Sequence, residues 1–245
     1  MMDPTRKFWF CVFVPTQYTV EDLPVIVFFH GGGYIVVSPD AKITHDFCCK
    51  SIWLPENANI SCCFIAGDSA GRHIAHHLVL RVIGLVAIHP FFGGEERTDS
   101  EIRLAGSAPI LSTKLTDWLW NVFMPLGEPY NRDHPIINVS GPNSVDISKM
   151  DFPATMVVVA GFDILRDWQI RYYEWLKKSG KEAYLVDYPN MFHDFCFFPA
   201  GIGPTYFGSE GLSSQGVVKG MLSSNVNTYK TRTRHRRKVC LEQKK

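Results

Sequence analysis

Residues 62–66 (CCFIA) form an apolar run that leads directly into Gly67-Asp68-Ser69-Ala70-Gly71, and His73 to Leu80 continues with helical character. This G-x-S-x-G between strand and helix constrains the chain more than any other feature. The tight turn needs small residues on either side and projects the Ser69 hydroxyl out of the backbone. It also leaves the Ala70 N–H at a helix start, where unpaired amides favour an anion. Around this turn, β-rich runs at 8–14, 24–29, 83–88, 155–160 and 183–188 alternate with helical patterns. Several are continuously apolar, as in strands covered on both faces, so the pattern predicts an α/β fold with a largely parallel sheet. One helix is expected over 164–178, with Leu165, Trp168, Tyr172, Trp175 and Leu176 at helical spacing and Gly180 as its stop. A second is expected over 113–123, capped by Ser112, with Leu115, Trp118, Leu119 and Val122 as its apolar stripe.

His30-Gly31-Gly32-Gly33-Tyr34 follows the run 24–29. Three glycines let main-chain N–H groups approach a ligand oxygen without side-chain obstruction. A phosphate loop would need GxGxxG or GxxxxGK[ST], and neither pattern occurs. Two such donors, joined by the Ala70 N–H, suit the oxyanion of a tetrahedral intermediate, a contribution of about 2.7–4 kcal/mol per donor. A serine nucleophile on such a turn takes its partners in the chain order Ser, acid, His. Among nine histidines, His193 follows the last apolar run in a loop, and Asp163 follows the run 155–160. Both fall at carboxyl ends of strands, where open parallel sheets place their sites. His73, His76 and His77 belong to the helix after the serine, as solvent or packing residues, and His235 belongs to a basic tail. Asp163 also suits the N-cap of helix 164–178. Asp167 lies within that helix and Asp194 adjoins the base.

With 245 residues, 46% hydrophobic and 20% charged, the chain suits one sizeable globular domain or two small ones and excludes wholesale disorder. The net charge of +1 conceals an uneven distribution: eight of the 25 Lys and Arg residues fall in 221–245 beside a single acid, Glu242, so the remainder is net acidic. The basic run 232–238 raises a nucleic-acid or nuclear-targeting reading, but without interleaved aromatics a solvated tail is favoured and nucleic acid is not an expected partner. Seven cysteines form no C-x-x-C and no His/Cys ladder, so no metal is expected, and a reduced, cytoplasmic setting fits, with the nucleus as a further option. No apolar stretch reaches the length of a membrane span. The run 8–14 is short and followed by Pro15, which favours a buried strand over a leader peptide.

HGGGY, GDSAG, GFDIL and the FHDF loop, with FFGGEER (91–97) and DWQIRYYEWLKKSGKE (167–182), resemble plant carboxylesterases of the hormone-sensitive-lipase-like α/β hydrolases. That branch also holds the gibberellin receptors. The resemblance spans residues 8–198 with gaps. It implies an α/β-hydrolase domain over 1–200, with a partial helical cap at 97–135 and helices flanking a mostly parallel sheet. It implies a serine carboxylesterase with Ser69, Asp163 and His193 as triad and Gly31, Gly32, Gly33 and Ala70 as oxyanion hole. The implied substrate is a small-molecule ester, with no cofactor and no metal. Trp118, Trp120 and Phe123 would then line the pocket or serve as core. The receptors lack a catalytic histidine, so the presence of His193 favours catalysis. The alternatives are a non-catalytic small-molecule binder and an inactive, truncated hydrolase.

Some positions depart from the family pattern. Only 38 residues lie between His30 and Ser69, where relatives insert a further strand and crossover helix. Nothing in 35–60 reads as a strand, so the sheet is expected to lack strands, leaving a gap or a new pairing. The helix after Ser69 runs toward 83–88 with no turn residue between Gly71 and Gly84. The Gly/Ser-rich and basic stretch 201–245 stands where relatives have a terminal helix and is expected to be disordered. Arg72 and Asp194 occupy positions where relatives usually have Gly, and Ile164 one where they usually have Pro. Ester identity and oligomeric state stay open.

Overall fold

Five of the expected apolar runs pair into one sheet: β1 (Pro24–Phe29), β2 (Asn59–Asp68), β3 (Gly84–Ile88), β4 (Ala154–Phe162) and β5 (Ala183–Phe192). The structure is a computed structural model that describes residues 24–51, 59–77, 82–124 and 129–198. The expected strand at 8–14, the stretch joining the serine helix to β3, and the tail at 201–245 lie outside the described residues.

The strands stand side by side in chain order, and each neighbouring pair is parallel. Parallel neighbours need a crossover between them. α1 (Lys42–Ser51), α2 (Ser69–His77) and α5 (Arg166–Lys178) supply three of these. In β4, Thr155 to Ala160 are all buried, the signature of a strand covered on both faces. Val157 and Val159 join the core beneath α5, with Trp168, Tyr172 and Leu176. Met156, Val158 and Ala160 face the opposite layer, with Phe47 and Cys48 of α1 and Phe195 and Cys196 of a 3₁₀ turn at 195–197. β5 instead alternates between half-buried and exposed residues from Tyr184 to Pro189, as an outer strand does among the described residues. The family's extra strand leaves no gap here: β1 pairs directly with β2, Val25 beside Cys63 through Phe29 beside Gly67. The segment 35–60, which has no strand signal, contributes α1.

Between β3 and β4 lie α3 (Asp99–Arg103) and α4 (Thr113–Phe123), within the segment read as a cap. Thr98 and Glu101 form a reciprocal capping box on α3. The buried Glu101 carboxylate also accepts from Trp168 Nε1 (2.9 Å), Arg97 (2.8 Å) and Arg132 (3.1 Å), which ties this segment to α5. Glu96 pairs with Arg171 at 2.8 Å, so the FFGGEER and DWQIRYYEWLKKSGKE stretches meet across the fold. Ser112 caps α4 as expected. Of that apolar stripe only Leu119 turns inward, together with Thr116 and Trp120, while Leu115, Trp118 and Val122 are exposed. The apolar arc of α4 is wide enough that periodicity does not select a face; Trp120 does, packing on Phe91 at 5.0 Å and under Arg132.

Arg72 of α2 is wholly buried and carries no ion pair among the described residues. It donates to Tyr172 Oη and lies 5.1 Å from that ring's centroid, while its Nε and Nη1 have no hydrogen-bond partner. Burial pushes the guanidinium below its ordinary value, and the Tyr172 contact offsets this only in part. A buried charge without a counter-ion opposes folding. Arg72→Met is therefore expected to stabilise the protein by about 2 kcal/mol in chemical denaturation. A lower denaturation midpoint would show that Arg72 holds α2 against α5 instead of straining that contact.

Among the described residues no helix is long and apolar enough to cross a membrane.

Candidate active site

The turn from β2 to α2 works by close approach. A Cβ on Gly71 would lie 2.1 Å from the Phe29 carbonyl oxygen and 2.4 Å from that of His30, and one on Gly67 would lie 2.8 Å from the Arg72 nitrogen. The missing side chains let the start of α2 press against the end of β1. Ser69 itself takes φ +46°, a left-handed conformation that costs a non-glycine residue roughly 1–2 kcal/mol and lifts its Oγ clear of both elements. Non-glycine residues with positive φ recur along this edge: Tyr34 beyond β1, Ser69 after β2, His89 after β3 and Asp194 after β5. Backbone strain of this kind gathers at functional sites.

Three of the residues singled out in the sequence meet here. His193 Nε2 lies 2.9 Å from Ser69 Oγ, and His193 Nδ1 lies 2.6 Å from Asp163 Oδ2. All three side chains are buried. Asp163 follows β4 at the turn into α5, and His193 follows β5. Asp163 does not cap α5, whose N-cap is Leu165. Its Oδ1 accepts from the Leu165 N–H (2.9 Å) and its Oδ2 from Gln169 Nε2 (2.7 Å), so the carboxylate is held on both oxygens. Burial opposes ionisation of Asp163, but the facing His193 and these hydrogen bonds hold it below its ordinary value. Burial likewise pushes His193 down; the carboxylates of Asp163, Asp194 and Asp68 outweigh that and raise it to about 9.

The glycine loop divides into two parts. Gly31 is not a free donor: its N–H donates to Asp68 Oδ1 at 2.9 Å. Asp68, the residue before the serine, is buried, and burial and Asp194 together raise it well above the ordinary carboxylate range. Among the described residues no hydrogen bond takes up the Gly32 or Gly33 N–H. α4 props this loop, with Leu119 occupying the space a Gly33 side chain would need and Phe123 stacking on Tyr34 at 4.0 Å. Trp120 is core and Trp118 half-exposed.

The remaining candidates fall elsewhere. His73 and His76 are buried packing residues on α2: His73 Nε2 contacts the Ile136 carbonyl, and His76 Nδ1 lies 3.1 Å from Tyr172 Oη. His77 is exposed. Asp167 accepts from the Ser100 N–H at the start of α3 (2.7 Å). His235 lies outside the described residues. Sequence reasoning passes over His89, whose ring centroid is 5.6 Å from that of His193 and whose Nδ1 accepts from the Asp194 N–H (3.0 Å). The signal is present, since His89 follows β3 as Asp163 follows β4 and His193 follows β5. Among the described residues no cluster of His, Cys, Asp and Glu is arranged to hold a metal ion.

Residues 49–197, more than half of the chain, match the alpha/beta hydrolase fold family. A gibberellin receptor of Arabidopsis thaliana is 32% identical over 228 aligned residues, which cover 74% of this chain and 63% of the receptor. The chain thus spans less than two thirds of that relative's length. Carboxylesterase 20 of the same plant is 28% identical, covering 73% of this chain and 72% of the esterase. Among solved structures, an ester-hydrolase from the metagenome of Lake Arreo superposes with a TM-score of 0.66 at 19% identity, covering 87% of this chain and 77% of that one. Sequence and fold lead to one place: the chain belongs to the alpha/beta hydrolase fold family, where plant carboxylesterases and gibberellin receptors are its relatives.

Proposed function

We propose that the chain is a serine carboxylesterase acting on small or medium acyl esters. The observation that carries this reading is the unbroken contact series from Ser69 Oγ through His193 to a carboxylate held on both oxygens. In the reactive state the imidazole is neutral, with its proton on Nδ1 facing Asp163. Nε2 takes the Ser69 proton as Oγ attacks the ester carbonyl, and the carbonyl electron pair moves onto oxygen. The Gly32, Gly33 and Ala70 N–H groups receive that oxyanion, while Gly31 braces the loop against Asp68. Collapse expels the alkoxide, which takes the proton from Nε2 and leaves an acyl ester on Ser69. Water then repeats the sequence, releasing the acid and restoring the serine. The substrate is a small-molecule ester, and segment 97–135 acts as a partial cap over the acyl side. The domain is read as 1–200, with 201–245 as an appended tail.

The likeness to gibberellin receptors favours a second reading, in which the same cleft binds a small molecule without turning it over. A fluorophosphonate probe separates the two. The esterase reading expects a covalent adduct mapped by peptide mass to Ser69, with hydrolysis of p-nitrophenyl acetate. A folded protein that neither labels nor hydrolyses across the alkaline range overturns the esterase reading.

A further inference from the structure

His193 makes one contact that the reaction does not need. Its Nε2, 2.9 Å from Ser69 Oγ, also lies 3.4 Å from Oδ2 of Asp194. Asp194 is held in this position. Its backbone is left-handed at φ +59°, its N–H donates to His89 Nδ1, and its side chain is only 20% exposed, with Oδ1 lacking a hydrogen-bond partner. A carboxylate on the serine side of the ring faces a nitrogen that must be bare to accept a proton. A neutral imidazole protonated on Nδ1 sets the Nε2 lone pair against the Asp194 carboxylate, whereas an imidazolium places positive charge between the carboxylates of Asp194 and Asp163.

We propose that Asp194 is a positioning residue that holds His193 doubly protonated between two carboxylates, so that the site rests unready and becomes competent only when that proton leaves. This rests on the esterase reading for its consequence, though not for its electrostatics. Every element around the ring contributes a group to this balance. Asp163 follows β4, Asp68 ends β2 and His89 follows β3, while Cys196 of the 3₁₀ turn faces the Asp68 and Asp194 pair. Two of the carboxylates belong to other roles: Asp163 orients the ring, and Asp68 binds the Gly31 N–H. The Asp194 side chain reaches both rings, with Oδ2 3.4 Å from His193 Nε2 and Oδ1 3.6 Å from His89 Nδ1, and glycine suits its backbone better.

The test is a proton titration of His193 by NMR of ¹³C-labelled histidine, with the signal assigned from His193→Gln. Asp194→Asn keeps the shape and removes the charge, and Asp194→Gly fits the left-handed backbone. In either variant the His193 pKa is expected to fall by about one unit or more. The pH midpoint of ester turnover should fall with it, raising turnover at pH 7 about tenfold. An unchanged titration in a folded variant overturns the proposal. So does a wild-type fluorophosphonate labelling rate whose pH midpoint sits at the ordinary histidine value, a measurement that needs no variant. If the titration shifts but no ester is hydrolysed at any pH, the electrostatic inference stands and the hydrolase reading fails.

Discussion

Exchanging Asp163 for asparagine is expected to lower ester turnover about 10⁴-fold while the protein still folds. The size of the effect follows from how the carboxylate is used. It accepts three bonds, from Leu165 N–H, Gln169 Nε2 and His193 Nδ1, and donates none. An amide brings two hydrogens into a place built for lone pairs. Turned toward Leu165, it sets donor against donor at the start of α5. Turned toward His193, it donates to Nδ1, which fixes the ring proton on Nε2 and points a hydrogen, not a lone pair, at Ser69 Oγ. In the second arrangement Gln169 can turn its own amide and offer its unpartnered Oε1 to the new N–H, so the fold is kept and the base is lost. Turnover of a chromogenic ester, measured with far-ultraviolet circular dichroism, checks both halves. A loss of less than tenfold in a folded variant would mean that Asp163 neither orients nor charges His193.

Gly71→Ala is expected to destabilise the protein by about 4 kcal/mol or more, a large share of an ordinary domain's stability. The added methyl would sit against two backbone carbonyl oxygens of β1, at 2.1 and 2.4 Å, with no flexible side chain free to yield. Relief requires α2 to move off β1, which takes the serine turn with it. Gly106→Ala is the control. Gly106, unlike Gly71, has positive φ, but open space surrounds its Cβ position, so only the backbone penalty of about 1 kcal/mol applies. Denaturation midpoints of the two variants measure the difference. Similar midpoints would mean that the β1–α2 approach is looser than it stands here.

What the sequence makes legible follows from local rules. β2, β3 and β4 are continuous apolar runs, and the residues that converge on the site each lie just past such a run, so Ser69, Asp163 and His193 are readable as one edge of a sheet. The glycine loop is readable for the same reason, but the engagement of Gly31 is not, because its partner Asp68 looks from sequence like filler beside the serine. The direct pairing of β1 with β2 is not written in either strand; it becomes visible only when 35–60 supplies a helix and no strand. α4 shows where periodicity stops: Leu115, Trp118 and Val122 share an apolar stripe with Leu119, yet only tertiary contact with Phe91 and Arg132 decides that Trp120 is the residue driven inward. His89 carries the same positional signal as Asp163 and His193, just past a strand, but the triad pattern assigns it no role, and Asp194 stands out only as a departure from glycine.

The strands stand in the sheet in the order in which the chain presents them. A domain synthesised from its amino end therefore completes the β1–β2–β3 unit, with the serine turn already bent, before the strand that carries the histidine exists. Ser69 is enclosed early, between neighbours that are close along the chain, while the nitrogen that would activate it arrives last, on an outer strand drawn in from 124 residues away. On the esterase reading, reactivity is thus acquired only after the serine turn is in place, and loosening of β5 would be enough to withdraw it while β1 to β4 stay paired.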